Sequence, residues 1–67
     1  MEYRELDNVI FRGERDQRIG ARMTEFLVDG KWVPSTPRQM TESQTFGTPM
    51  TEAQAKEFQG DGWPAEA

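Results

Sequence analysis

The sequence predicts a small α+β domain, mainly β: a three-stranded antiparallel meander, one short C-terminal helix and extended arms. Three observations predict it. An Asp29-Gly30 pair sits between two apolar runs in TEFLVDGKWVPS. Alternating apolar and polar residues precede it in NVIFRGERDQRIGARM. A helix-start pattern, Thr51-Glu52-Ala53-Gln54, lies near the end of the chain. The bounds that follow are a meander over 1–34, an extended Pro/Ser/Thr-rich linker or arm over 35–50, and a short helix with an acidic tail over 51–67.

The hairpin at Asp29-Gly30 carries the sharpest local signal. A two-residue type I′ turn needs positive φ at both central positions, which Asp tolerates and Gly adopts freely. That turn sets Val28 opposite Lys31, Leu27 opposite Trp32 and Phe26 opposite Val33. Alternation then puts Leu27 and Trp32 on one face, Phe26 and Val33 on the other. Pro34 cannot donate to a ladder and ends the strand or marks an edge.

Upstream, a loop over Gly13 to Asp16 would pair Ile10 with Ile19, Asn8 with Ala21 and Leu6 with Met23. Asp7 would meet Arg22 as an opposite-charge pair. One face then collects Leu6, Ile10, Ile19, Ala21, Met23, Leu27 and Trp32. The other collects Val9, Phe11, Phe26, Val28 and Val33 among Arg18, Arg22 and Thr24. The competing reading, a helix over 14–27, is weakened by Gly20 in its middle and by the Thr-Glu-Phe-Leu-Val end.

The second half contains a near-repeat: Met40-Thr41-Glu42-Ser43-Gln44 returns as Met50-Thr51-Glu52-Ala53-Gln54. Both copies match the capping box S/T-x-x-E/Q. Only the second has helix-favouring residues behind it (Ala53, Ala55, Lys56, Glu57), with Gly60 as its stop. The first meets Phe46 and Gly47 at once, which limits it to a single turn. A tandem recognition motif is the alternative origin, and shared capping chemistry is the simpler one.

Composition bounds the function. The chain has 67 residues, 34% hydrophobic and 30% charged, with no Cys and no His. Disulfides and the common zinc sites are therefore excluded. So are Ser/His and Cys/His nucleophilic sites. No glycine pattern has the spacing of a phosphate-binding loop. No enzyme, cofactor or small-molecule substrate is expected. The net charge is −4, all of it in 39–67, where Lys56 stands against five acids; 1–38 is neutral. An acidic chain is a poor match for nucleic acid or an anionic membrane. The apolar runs are far too short for a membrane span. The expected location is the cytoplasm or an assembly built there.

What remains is binding to a protein. The face with Phe11, Phe26 and Val33 is more apolar than a solvated sheet face, and Arg18 and Arg22 beside it suit partner carboxylates. Met40 and Phe46 would anchor the arm, and Trp63 would either fold back on the sheet or fill a partner's pocket. The leading expectation is an inhibitor or accessory factor, of the kind phages encode, acting on a larger protein or by self-association. The rivals are a structural or decoration subunit held by its arms, and a small nucleic-acid binder using Arg12, Arg15, Arg18 and Arg22 with Phe11 as a stacking residue.

Overall fold

A computed structural model describes residues 1–18 and 20–64. The chain is α+β and mainly β, but among the described residues the sheet has five antiparallel strands and there are two α-helices, not one. Strands β1 (Glu2–Leu6), β2 (Val9–Gly13), β5 (Glu25–Val28), β6 (Lys31–Pro34) and β7 (Thr48–Met50) lie in the order β6-β5-β2-β1-β7. Between β2 and β5 the chain makes an excursion over 14–24, held by a two-residue ribbon of β3 (Arg15–Asp16) and β4 (Gly20–Ala21).

The β5–β6 hairpin forms with the register expected from its turn. Asp29 and Gly30 have φ of 51° and 72°, and Leu27↔Trp32 and Phe26↔Val33 are partners. Gly30→Val should therefore cost roughly 1–2 kcal/mol through backbone strain. Gly62→Val should cost less, because there a Cβ meets only the end of the Gln59 side chain, which can move aside. Thermal melts of the two variants check this; equal shifts would contradict the turn.

The upstream pairing differs from the expectation. Asp7 and Asn8, with φ of 52° and 66°, form a second tight turn, so β1 pairs with β2 through Glu2↔Gly13 to Leu6↔Val9. The Asn8 N–H donates to the Glu5 carboxylate at 2.9 Å. Asp and Asn tolerate the left-handed region through local hydrogen bonds, so this turn needs no glycine. It uses the strand edge that the Leu6–Met23, Asn8–Ala21 and Asp7–Arg22 pairs required, and none of them forms. The expected Ile10–Ile19 pair lies outside the described residues. The other edge of β2 takes β5, with Phe11↔Phe26 and Arg12↔Glu25 as partners.

The reversal at Asp7-Asn8 puts Leu6 and Ile10 on opposite faces, so there are two small cores. On the first face, Tyr3, Ile10 and Leu27 pack with Ala55, and Trp32, Met50 and Trp63 close around them. On the second face, Phe11 packs with Ala21 and Met23 from the excursion, flanked by Leu6, Val9 and Phe26. Each fully buried aliphatic side chain contributes about 1.5–3 kcal/mol.

Residues 35–50 are not an extended arm. They form α1 (Pro37–Phe46), which runs directly into β7. Thr36 caps α1: its hydroxyl accepts from the Gln39 N–H at 3.1 Å, and the Gln39 side chain accepts from the Thr36 N–H at 2.8 Å. Pro37 at the first helical position has no N–H to leave unpaired. The C-terminal end of α1 is tied to β1, where Arg4 Nη1 donates to the Gln44 carbonyl at 3.0 Å. A cation on the last carbonyls of a helix suits its dipole.

The two near-repeats thus have different uses. Thr51 and Gln54 form the capping box of α2 (Glu52–Gln59), as expected, and α2 ends at Gly60 with φ of 62°. Thr41 and Gln44 lie inside α1. There the Thr41 hydroxyl donates to the Pro37 carbonyl, and the Gln44 side chain accepts from the Met23 N–H. Among the described residues no helix is long and apolar enough to cross a membrane.

Candidate protein-binding face

The β5–β6 hairpin exposes one apolar strip, built by simple alternation. Phe26 and Val28 point to the second face of the sheet, whereas Glu25 and Leu27 point to the first. Val33 stands opposite Phe26, and Lys31 opposite Val28. Phe26 also partners Phe11, with ring centroids 5.8 Å apart and planes tilted by 40°. The row Phe11–Phe26–Val33 therefore crosses three neighbouring strands.

Burial falls away along this strip. Phe11 is only 5% exposed, Phe26 and Val33 are half-buried, and Val28 is 42% exposed. Phe11 was expected on an open face. The excursion that carries Ala21 and Met23 covers it instead, so it packs beside Phe26 and cannot meet a partner directly. Lys31 is exposed and has no ion-pair partner among the described residues.

The other expected binding residues are dispersed. Arg18 and Arg22 are exposed on the excursion. Met40 is half-buried, one helical turn from the fully buried Ser43, which places it on the packed side of α1 rather than on a free arm. Phe46 ends α1 and is 73% exposed. Trp63 folds back onto the first face, with ring centroids 5.7 Å from Tyr3 and 5.5 Å from Trp32.

The arginine series is split between roles. Arg12 bonds Glu25 at 2.9 Å and lies 4.1 Å over the Trp32 ring, on the first face. Arg15 bonds Glu2 at 2.6 Å. On α1, Arg38 pairs with Glu42; that hydrogen bond, and then the carboxylate charge, raise its pKa further above the ordinary guanidinium value. The first and second arginines of the series are thus already bound to carboxylates of the same chain.

Val28 and Lys31 were not among the expected contact residues, although alternation from Phe26 and the turn register place both on its face. Among the described residues no cluster of acids is arranged to hold a metal ion. The fold and this face define a class: a small α+β sheet domain with an apolar strip along one edge. Comparison with protein-family models, curated proteins and solved structures finds no match.

Proposed function

We propose that this chain is a non-enzymatic binding protein. It occupies the surface of a larger protein as an inhibitor or accessory factor, in the cytoplasm or in an assembly built there. The observation that carries this reading is the strip of Phe26, Val33 and Val28 with the unpaired Lys31 at its end. A chain that is 34% hydrophobic has few apolar residues to leave at its surface, and here three of them stand side by side on neighbouring strands. The matching partner surface is apolar, with a carboxylate placed to meet Lys31. Such a charge sets register and specificity more than raw affinity.

A photo-crosslinking residue at position 28, introduced in the cells that express the protein, should capture one discrete partner. The same group at Gln17, in the exposed turn, should not. With that partner purified, Val28→Asp should weaken binding about 10-fold or more. Because Val28 is exposed, stability should change by no more than about 0.5 kcal/mol. Phe26→Ser should cost more than about 2 kcal/mol of binding, and Arg15→Ala less. Unchanged affinity for Val28→Asp would refute the assignment.

The reading as a structural subunit held by extended arms has less support, because 35–50 is folded against the sheet. The nucleic-acid reading loses Arg12 and Arg15 to internal ion pairs, and Phe11 to the core.

A further inference from the structure

A second apolar surface lies at the opposite edge of the sheet, on the opposite face. Here α2 lies beside β7, which has β1 on one side and, among the described residues, no strand on the other. Between them is a groove of about 370 Å³, lined by Thr48, Pro49, Met50, Gln54, Glu57 and Phe58. Gln54, Glu57 and Phe58 share one side of α2 by their i, i+3, i+4 spacing. Met50 lines the groove and packs against the core of the first face. Phe58 lines its other side and is 46% exposed. The volume is at the low end for a ligand pocket, enough for one large side chain rather than an extended ligand.

The edge itself selects how a partner binds. Strand addition needs a run of edge N–H and C=O groups. β7 has three residues, and the middle one, Pro49, has no N–H. A ladder there would be short and incomplete, so recognition falls to side chains.

Charge selects the chemistry. Glu57 is the only ionisable residue in the groove and has no ion-pair partner among the described residues. The one lysine of α2, Lys56, lies by the Trp63 ring, 6.0 Å from its centroid. Residues 39–67 carry the whole net charge of −4. Within the groove lining, and in the net charge of residues 39–67, the balance favours a cation. We propose that this groove receives an apolar side chain of a partner polypeptide whose flanking residues are Lys or Arg. This goes beyond the β5–β6 strip, because it gives the chain a second, separately testable surface of opposite charge, by which it can bridge two polypeptides.

The test uses the full ¹⁵N-labelled chain and three blocked peptides. One has a central Phe flanked on both sides by Lys; one replaces that Phe by Ser; one replaces the Lys residues by Glu. The Lys-flanked Phe peptide should produce saturable amide shifts at Met50, Gln54 and Phe58. Its affinity should exceed that of either control by at least ~10-fold. Glu57→Lys, at an exposed position, should reverse the preference between Lys and Glu flanks while leaving the rest of the spectrum in place. Phe58→Ser should remove the advantage of Phe over Ser. The proposal is overturned by equal affinity for the Phe and Ser peptides, which marks plain charge attraction. It is also overturned by shifts that map elsewhere, by an unchanged preference in Glu57→Lys, or by no saturable shift up to ~5 mM peptide, beyond which any binding is weaker than the millimolar range.

Discussion

Gly13→Ala should leave little folded protein at 37 °C. A Cβ at this position would sit 1.4 Å from the Arg22 carbonyl oxygen and 2.5 Å from its carbon. The obstacle is backbone, and it cannot swing aside. The Arg22 N–H donates to the Glu14 carbonyl at 3.0 Å, and its own carbonyl accepts from the Thr24 N–H at 3.0 Å. Overpacking a well-filled site costs about 1–3 kcal/mol and sometimes more. A domain of this size holds only roughly 3–10 kcal/mol in total. A loss of about 3 kcal/mol should lower the melting temperature by ~12–24 °C, read by far-UV circular dichroism. Gly20→Ala is the comparison. Its φ is 83° with open space around the missing Cβ, so it should cost only about 1 kcal/mol of backbone strain. If Gly13→Ala melted like the parent chain, the excursion would not be seated on β2. Phe11 would then lose its cover, and the proposed strip would widen by one aromatic ring.

The parts legible in the sequence were those governed by local chemistry. Asp29-Gly30 dictates its turn, and from the turn follow the register of β5 and β6 and the separation of Leu27 from Phe26. Thr51 and Gln54 cap α2 through contacts three residues apart. The fold-back of Trp63 is one of the two fates that the sequence leaves open for it. Two further local signals lie in the sequence. Asp7-Asn8 makes the same kind of turn as Asp29-Gly30 without a glycine. Thr36-Pro37-Arg38-Gln39 is a capping box with proline at the first helical position, hidden in a stretch whose Pro, Ser and Thr content suggests a linker. The rest was not local. β2 is flanked by β1 and β5, and periodicity alone does not say which neighbour each edge takes. The covering of Phe11 depends on a pairing of Arg15 with Ala21 and on the contact of Gly13 with Arg22, which no alternation pattern encodes. For the proposed binding face, alternation supplies its members, Phe26, Val28, Lys31 and Val33. Which of them stay open is decided by where the excursion and α1 lie.

Trp63→Ala should be the most damaging change in the C-terminal third, and it should act on stability rather than on binding. The Trp63 ring meets Trp32 edge-on, at 84° and 5.5 Å, and Tyr3 at 48° and 5.7 Å. Tyr3 in turn reaches α2, where its hydroxyl donates to Glu52 at 3.3 Å. Trp63 is placed by the 3-10 turn Gly60–Gly62, its N–H donating to the Gly60 carbonyl at 3.2 Å. It therefore closes the seam between α2 and the first face of the sheet. Truncating a core Phe or Trp to Ala costs about 3–5 kcal/mol, and aromatic pairs add about 0.5–1.5 kcal/mol beyond their buried area. Trp63 is only half-buried, which puts the expected loss near 3 kcal/mol, or a fall of ~12–24 °C in melting temperature. Phe46→Ala, at a position 73% exposed, should stay within about 0.5 kcal/mol of the parent. The two outcomes separate the roles that the sequence left open for Trp63. A core residue lowers the melting temperature and changes the near-UV circular dichroism, yet leaves partner affinity intact when measured well below the transition. A residue that fills a partner's pocket does the reverse. The first pattern is expected for Trp63→Ala, and the second would move the interface from β5–β6 to the first face.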